Sequence, residues 1–350
     1  MHDRIDAGTL KERKESLKRS RPDLRARDAA AELGVSEAEY VAASCGDDVR
    51  RLAGPWPELV AGLPTLGEVM ALTRNNCAVH EKVGRFGEIS VSGDQGLVLN
   101  TDIDLRIFYA NWSTGFAVTE TGRHGTRRSL QFFSADGTAI HKVYLRPESD
   151  IAAYEALVAR HLSDDQSIDQ VVAPRKPAPP ARPDSEIDVA ELRRRWDGLE
   201  DVHDFINLLR DVGATRLQAF RLVGRKYAVP VPPESFRRAL ESAADTGLPI
   251  MIFVGNPGVI QIHTGPVRTL KETAPWFNVL DPGFNLHLRT DGIAEAWVVR
   301  KPTTDGIVTS LELFTADGKP IAYMFGARKP GQPELEAWRN LAADLELVAV

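Results

Sequence analysis

A histidine near the middle of the chain is the first candidate for chemistry. His203 lies in the segment Glu200-Asp-Val-His-Asp-Phe-Ile-Asn-Leu-Leu-Arg210. The apolar residues around it recur at the spacing of one helix face: Val202, Phe205, Ile206 and Leu209. His203 falls at the edge of that face, where an imidazole reaches a metal in a pocket while its neighbours pack the pocket wall. A half-exposed surface histidine fits the same pattern.

An arginine among aromatic residues is the second candidate. The segment 104–112 is predicted to be a strand, and its two-residue period places Arg106 on one face with Phe108, Ala110 and Trp112. A charge in such surroundings needs a partner. That partner is either a structural carboxylate or an anion or iron-bound oxygen species in a pocket, and the sequence leaves both open.

Cations lie beside apolar segments throughout the C-terminal half. They are Arg216 and Arg221 in a predicted helix, Arg300 and Lys301 after Trp297-Val-Val, and Arg328 and Lys329 beyond Tyr323. Each one alone is typical of solvated surface charge. Together they suit a flat apolar ligand that carries two carboxylates, because apolar walls bury the ring while Arg and Lys bind the acid groups. Haem fits that description.

Two further histidines stand near predicted strands. His287 occupies the repeat position of Arg106, and His80 lies in Asn75-Asn-Cys-Ala-Val-His-Glu81 ahead of the first predicted sheet. Both positions are also typical of structural or surface histidines. Scanning for nucleophile elbows, phosphate loops, dinucleotide loops, HExxH and diagnostic carboxylate pairs finds none in the sequence, so motifs alone name no reaction.

Composition limits the function classes. The chain has 350 residues, with 43 Lys plus Arg against 49 Asp plus Glu and a net charge of −6. This balance gives no charge excess for broad binding to phosphate backbones, which argues against nucleic acid as a partner. No apolar run approaches the roughly 18 residues of a membrane span, and Cys45 and Cys77 form no disulfide framework. We expect a cytoplasmic protein without membrane insertion.

The two halves of the chain resemble each other. Leu130-Gln-Phe-Phe-Ser-Ala-Asp-Gly137 matches Leu311-Glu-Leu-Phe-Thr-Ala-Asp-Gly318 at an offset of 181 residues, and further segments match at the same offset. Between the halves, apolar periodicity stops and five prolines occur, which favours an extended linker. The sequence therefore predicts an N-terminal repeat at 1–165, a Pro-rich linker at 166–187 and a C-terminal repeat at 188–350.

Each repeat places helical patterns before strand patterns. This order predicts an α+β fold, in which each domain has a large antiparallel sheet with flanking helices. A closing helix in each half is expected to cover a sheet face. The predicted helices are 28–43, 150–161, 217–224 and 334–344, and the predicted strands are 88–92, 105–112, 129–134, 259–263, 285–289 and 311–314.

These residues resemble the HemS/HmuS/ChuS family of cytoplasmic haemin-handling proteins, also called haemin-degrading factors. The resemblance covers nearly the whole chain. The segments that carry it are Arg74-Asn-Asn-Cys-Ala-Val-His-Glu-Lys82, Asp104-Leu-Arg-Ile-Phe108, Asp201-Val-His-Asp-Phe205, Thr215-Arg-Leu-Gln-Ala-Phe-Arg221, Val299-Arg-Lys-Pro-Thr303 and Phe325-Gly-Ala-Arg-Lys-Pro-Gly-Gln-Pro-Glu334.

The resemblance implies a haem site on the C-terminal half, in which His203 is the axial ligand of the iron. It implies that Arg106 opposes this histidine from a strand of the N-terminal half, with Phe108 near the ring. His80 matches a histidine that would ligate a second haem on the N-terminal half. The residues that would bind propionates or line the pocket are Arg216, Lys301, Tyr323 and Arg328.

Three functions follow from these patterns. In the first, the protein captures haem after uptake and carries it for iron utilisation, with a haem-uptake permease, a haem oxygenase or a reductase as possible partners. In the second, it degrades haem with an external reductant, and Arg106 polarises the oxygen species. In the third, it is a duplicated scaffold that binds a protein and no haem.

Overall fold

A computed structural model describes residues 5–122, 125–175, 177, 179–329 and 331–347. The chain divides into two compact units. The N-terminal unit consists of Met1–Arg74, Glu81–Lys176 and Gly255–Gln261, and the C-terminal unit consists of Asn75–His80, Pro177–Val254 and Ile262–Val350. Each unit therefore takes one short segment from the other half of the sequence.

The described residues form eighteen strands and ten α-helices. The strands are β1 Val49–Leu52, β2 Glu68–Arg74, β3 Ala78–Arg85, β4 Glu88–Ser92, β5 Gln95–Leu99, β6 Asp104–Phe108, β7 Thr114–Gly122, β8 Gly125–Phe133, β9 Ala139–Leu145, β10 Ala228–Val231, β11 Ile250–Asn256, β12 Val259–Gly265, β13 Leu270–Thr273, β14 Trp276–Asp281, β15 Phe284–Arg289, β16 Glu295–Thr303, β17 Gly306–Phe314 and β18 Pro320–Gly326. The helices are α1 Ala7–Ser20, α2 Ala26–Leu33, α3 Glu37–Ala42, α4 Trp56–Ala61, α5 Ile151–Arg160, α6 Val189–Asp197, α7 Asp204–Val212, α8 Arg216–Val223, α9 Ser235–Thr246 and α10 Glu336–Leu347.

The N-terminal unit contains antiparallel strands in the order β1-β7-β8-β9-β2, and its strands β4, β5 and β6 form an antiparallel meander. Helix α5 begins where the Asp150 carboxylate accepts the Ala153 N–H at 2.9 Å. Its apolar side buries Tyr154, Leu157 and Val158 in the core of this unit. The sequence-predicted closing helix of this repeat therefore contributes to its hydrophobic core.

The C-terminal unit repeats the same order as β10-β16-β17-β18-β11, with β13, β14 and β15 as its meander. Helix α10 buries Trp338, Leu341, Ala342 and Leu345 in its core. A second core lies among α6, α7, α8 and β16, where Trp196, Phe205 and Phe220 pack together. The predicted α+β fold of two similar repeats is confirmed.

One predicted helix is in fact two. The pattern at 28–43 becomes α2 and α3, separated at Gly34, whose φ of +71° ends α2 in the left-handed conformation. Ser36 then caps α3 through a reciprocal bond pair with Glu39. The error arose because apolar periodicity continues across the break while the Gly-Val-Ser sequence ends one helix and begins the next.

The predicted strand 105–112 is wrong beyond Phe108. Residues Tyr109–Asn111 form a turn of 3₁₀ helix, so Ala110 and Trp112 do not continue the face of Arg106. Trp112 instead donates its indole N–H to the Gly258 carbonyl at 2.9 Å and is buried in the core of the N-terminal unit. The alternation of Phe108 and Trp112 in the sequence is therefore not the two-residue period of one strand, because Trp112 enters the core only after the 3₁₀ turn.

The Pro-rich segment carries no α-helix or strand among its described residues between 166 and 183, and a short 3₁₀ helix follows at Asp184–Glu186. Lys176 and Ala178 of the predicted linker lie outside the described residues. Within the described part of the chain, no helix has the length and apolar character required to cross a membrane.

Candidate functional site

His203 immediately precedes helix α7 and is strongly exposed, with 83% of its side chain accessible. Asp201 holds it in place, because the same carboxylate oxygen lies 2.5 Å from His203 Nδ1 and accepts the His203 backbone N–H at 2.8 Å. The two bonds from His203 lower the pKa of Asp201, the backbone bond most of all. With Nδ1 engaged by a carboxylate, Nε2 is the nitrogen that presents a lone pair outward.

The buried face of helix α7 consists of different residues from those predicted. Phe205, Leu208 and Val212 are buried, whereas Ile206 is 66% exposed. The prediction that Ile206 belongs to the buried face is wrong. The helix starts only after His203, and its buried face runs from Phe205 through Leu208 to Val212. His203 therefore lies at the helix start rather than within a regular helical face.

Three charged residues meet below this helix, and we call Arg216, Lys301 and Glu312 the ion cluster. Arg216 donates from Nε and Nη2 to the Glu312 carboxylate at 2.6 and 2.8 Å, and Lys301 Nζ donates to the same group at 3.0 Å. Glu312 is fully buried and Lys301 nearly so, whereas Arg216 keeps 22% of its side chain exposed. The cluster therefore carries a net charge of about +1 and reaches the surface through Arg216.

Aromatic rings connect the ion cluster to the helix of His203. The Arg216 guanidinium lies 4.5 Å from the Tyr323 ring centroid and 5.0 Å from that of Phe205. Lys301 Nζ lies 4.7 Å from the Phe205 centroid. Phe205 stands in the first turn of α7, two residues after His203, so its ring joins the two cations to the start of this helix.

Burial shapes the titration of these groups. It lowers the pKa of Lys301 to about 8, helped by the Arg216 charge and opposed by Glu312. For Glu312 burial acts in the opposite direction, but Arg216 and Lys301 outweigh it and lower the carboxyl pKa to about 2. Burial raises the pKa of Tyr323 to about 12. At neutral pH the cluster thus keeps its carboxylate ionised and the Tyr323 hydroxyl protonated.

Arg328 lies on the segment after β18, and its guanidinium is 3.5 Å from the Asp305 carboxylate in the turn between β16 and β17. The same turn contacts the loop before α7, since Thr304 N–H donates to the Glu200 carbonyl at 3.0 Å. The Arg328 charge also contributes to lowering the pKa of Asp201. The C-terminal unit therefore brings His203, Arg216, Lys301, Tyr323 and Arg328 to neighbouring elements.

Arg106 and Phe108 belong to β6 of the N-terminal unit. Arg106 forms an ion pair with Asp104 on the same strand face, and a third of its side chain stays exposed. Burial has the largest effect on Asp104 and raises the pKa of its carboxyl, although Arg106 opposes this. Phe108 N–H donates to the Gly258 carbonyl at 3.0 Å. Asp104 is thus the carboxylate partner that the sequence left open for Arg106.

His80 is fully buried on β3, where its ring packs 4.9 Å from that of Phe284. On the same phenyl ring, His263 stacks in parallel at 3.8 Å between centroids. Ligation of a haem iron by His80 would need a movement that exposes this imidazole. His287 is half-buried, and its Nδ1 lies 2.7 Å from the Asn278 side-chain oxygen.

Sequence reasoning missed Glu312 and Asp201. Glu312 stands in Leu311-Glu-Leu-Phe314, a strand whose neighbouring residues are buried. An acid within an apolar strand requires cationic partners, so this glutamate was a detectable signal. Asp201 was visible as the residue two before His203, but its contact depends on the turn that precedes α7.

Comparison with known proteins gives consistent results over most of the chain. The family model described as "Haemin-degrading HemS.ChuX domain" matches twice, at residues 34–161 and 213–345. Hemin transport protein HemS of Yersinia enterocolitica is 42% identical over 332 residues, which cover 94% of each protein. The two matches to one domain model agree with the duplicated fold.

Solved structures of similar sequence share this fold. The structure of holo-PhuS, a heme-binding protein from Pseudomonas aeruginosa, has a TM-score of 0.95 and 49% identity, and the match covers 97% of this chain and 99% of that one. The heme degrading enzyme ChuS of Escherichia coli O157:H7 has a TM-score of 0.90 and 38% identity, with coverage of 97% and 99%.

Proposed function

The chain belongs to the family defined by the haemin-degrading HemS.ChuX domain, and on that basis we propose that it binds haem on its C-terminal unit with His203 as the axial ligand of the iron. In this function the protein captures haem after uptake in the cytoplasm and carries it for iron utilisation. A haem-uptake permease would deliver the haem, and a haem oxygenase or a reductase would act after release.

The observation that carries the proposal is the contact between Asp201 and His203. A carboxylate on Nδ1 fixes the ring orientation and the tautomer, as partners of metal-binding histidines commonly do. The ring itself is 83% exposed, so a large planar ligand can approach Nε2 from outside the helix. Haem iron accepts such a neutral imidazole nitrogen.

The ion cluster supports the proposal from the side of the ligand's acid groups. Arg216 presents a partly exposed guanidinium backed by Glu312, and arginine pairs well with carboxylates. We propose that Arg216, Lys301, Tyr323 and Arg328 bind the propionates or line the pocket. Arg106 and Phe108 are proposed ligand contacts on the N-terminal unit.

The test is a titration of the purified protein with haemin, followed by the Soret absorption of the wild type and of His203→Ala. We expect saturation near one haem per chain in the wild type. The variant should bind more weakly and with a changed Soret spectrum, because it lacks the axial imidazole. His287→Ala serves as a matched control that removes another imidazole and should leave the titration unchanged. The absence of any saturable change in the wild type would reject haem binding and favour a scaffold for a protein partner.

The second haem proposed at His80 is tested by stoichiometry in the same titration. Two haems per chain in the wild type and one in His80→Ala would support it. Equal stoichiometry in the two proteins would remove His80 as a ligand.

Haem degradation is the second candidate function, favoured by the description of the matched domain and by similarity to the heme degrading enzyme ChuS. Arg106 would then take part in the reaction from the N-terminal unit, and electrons would come from a separate reductant. Addition of a reductant in air, with catalase present to remove peroxide, distinguishes the functions. Decay of the Soret band to an open tetrapyrrole supports degradation, whereas a persistent band supports a carrier.

A further inference from the structure

We propose that Glu312 is a positioning residue for ligand binding, which holds Arg216 and Lys301 ready for the acid groups of the ligand and links them to the helix of His203. The proposal rests on the proposed haem-binding function. It assigns to Glu312 a role that does not require contact with the haem.

The hydrogen bonds of Glu312 define its position. Its carboxylate accepts two bonds from Arg216 at 2.6 and 2.8 Å, one from Lys301 at 3.0 Å and one from the Ser310 hydroxyl at 2.8 Å. These four donors come from α8, β16 and β17. Three of these bonds go to Oε1 and one to Oε2, so protein donors take most of the roughly four acceptor positions of the carboxylate.

Burial separates the residue that meets the ligand from the one that positions it. Glu312 has no exposed side-chain surface and Lys301 only 3%, whereas Arg216 retains 22%. A ligand carboxylate therefore contacts the exposed edge of the Arg216 guanidinium, while Glu312 binds the buried edge of the same group through two hydrogen bonds. Fixing the guanidinium before binding reduces the rotamer entropy that ligand binding would otherwise lose.

The other repeat provides an internal comparison. Gln131 stands 181 residues before Glu312, and its amide contacts Ser129 at 3.0 Å as Glu312 contacts Ser310. At the positions of Lys301 and Arg216 this repeat carries Glu120 and Glu37, the latter directly after the helix-capping Ser36 as Arg216 follows Thr215. Where the two cations are absent, this strand position carries an amide instead of a carboxylate, and the buried acid of that repeat is Glu37 itself, which pairs with Lys142 and Arg74. Glu312 is therefore coupled to the cations and not demanded by the strand.

The same cluster touches the element that carries the axial ligand. Phe205 lies 5.0 Å from the Arg216 guanidinium and 4.7 Å from Lys301 Nζ, measured to the ring centroid. His203 directly precedes the helix in which Phe205 occupies the first turn. Displacement of Arg216 or Lys301 would remove a contact that holds the Phe205 ring, and the first turn of α7 would move with that ring.

This arrangement predicts a specific dependence of haem affinity on pH. The charged groups that act on Lys301 are Arg216 on α8 and Glu312 on β17, and Tyr323 on β18 lies against Arg216. A ligand carboxylate favours protonated Lys301, so affinity is constant below the Lys301 pKa of about 8 and falls above it. The limiting slope is about tenfold per pH unit for one proton. Removal of the Glu312 charge lowers the Lys301 pKa further, and the fall must begin at lower pH.

The experiment is a haemin titration of the full chain between pH 6 and 9.5 for the wild type, Glu312→Gln, Lys301→Met and Lys301→Arg. Lys301→Met has no titratable group at this position, so each profile is taken relative to it to separate the titration of Lys301 from hydrolysis at the iron. We expect the decline in Glu312→Gln to begin at least one pH unit lower than in the wild type, together with a changed Soret spectrum. Lys301→Arg should lack the decline in haemin affinity, which we call the step, because arginine does not titrate in this range.

A second probe tests the acid groups of the ligand. Haemin dimethyl ester has no free carboxylates, so its affinity should show no difference in pH profile between the wild type and Glu312→Gln. Superimposable haemin profiles of the wild type and Glu312→Gln would overturn the proposal, as would a step retained in Lys301→Arg. Failure of the wild type to bind haemin would instead reject the proposed function.

Glutamine is the matched replacement, since it occupies the equivalent strand position of the other repeat. Circular dichroism and thermal unfolding establish that Glu312→Gln is folded. If it is unfolded, Glu312→Asp replaces it in the same titration. The shorter side chain cannot reach both cations, so an earlier decline is again expected and an unchanged profile again overturns the proposal.

Discussion

Asp201 Oδ1 contacts His203 twice, at 2.5 Å from the ring Nδ1 and at 2.8 Å from the backbone nitrogen. One carboxylate oxygen thus fixes both the turn before α7 and the orientation of the imidazole that the turn presents. The ligand geometry of His203 depends on a residue only two positions earlier in the chain.

Replacing Asp201 with asparagine should weaken haem binding by roughly 10- to 100-fold, the usual cost of losing the partner of a metal-binding histidine. The neutral amide oxygen accepts a weaker hydrogen bond from the Nδ1–H group than the carboxylate does, so the ring loses its fixed tautomer. Haemin titration measures the effect. Asp204→Asn is the control, because it removes an equal charge on the other side of His203. Equal losses in both variants would indicate an effect of net charge and contradict the orienting role.

Tyr323→Phe should reduce haemin affinity by about 2- to 10-fold, the cost of one hydrogen bond. Burial raises the pKa of Tyr323 to about 12, so its hydroxyl remains a donor for a propionate at neutral pH. Tyr227→Phe is the matched control, since the Tyr227 hydroxyl donates to Asp197 at 2.6 Å outside the ion cluster. An unchanged haemin affinity in Tyr323→Phe would exclude this hydroxyl from ligand binding.

Glu37→Gln should destabilise the protein by about 3–5 kcal/mol, because it breaks a buried ion network. Burial opposes ionisation of Glu37, but Lys142 and Arg74 prevail and lower its pKa. A lowered folded-state pKa contributes stability above the unfolded value of 4.5 that is lost as pH falls through the folded value. Urea unfolding at pH 7 and below 4.5 should show a smaller acid loss in the variant. Glu32→Gln, in an exposed pair with Arg21, should cost less than about 1 kcal/mol.

His141→Gln should make stability less sensitive to mild acid. Burial lowers the pKa of His141 to about 3 from 6.5, and its Nδ1 contacts the Thr73 hydroxyl at 2.9 Å. The folded protein therefore keeps this ring neutral, while the unfolded chain protonates it below pH 6.5. Stability contributed by the lowered pKa is lost as pH falls from 6.5 toward 3. The wild type should lose about 2 kcal/mol more than the variant between pH 7 and pH 5, measured by urea unfolding; parallel losses would contradict the prediction.

Local patterns predicted much of the fold. The Asp-Gly hairpin turns, the two-residue strand period and the offset of 181 residues are encoded in neighbouring positions. Strand 88–92 was predicted with its observed bounds. Predictions were wrong where two elements meet, as at Gly34 between α2 and α3 and at Phe108, where β6 ends. Periodicity continues across such points although the backbone changes direction.

For the candidate site, the sequence by itself determined which side chains have suitable chemistry: an imidazole at the edge of a predicted apolar helix face and cations beside apolar strands. It also determined the duplication, because repeated segments follow the chain order. Only the tertiary structure decided that Glu312 binds Arg216 from 96 positions away and that Phe205 lies against both cations. Such partners are chosen by the packing of helices on strands, and the free energy of a buried charge depends on that packing rather than on its neighbours in sequence.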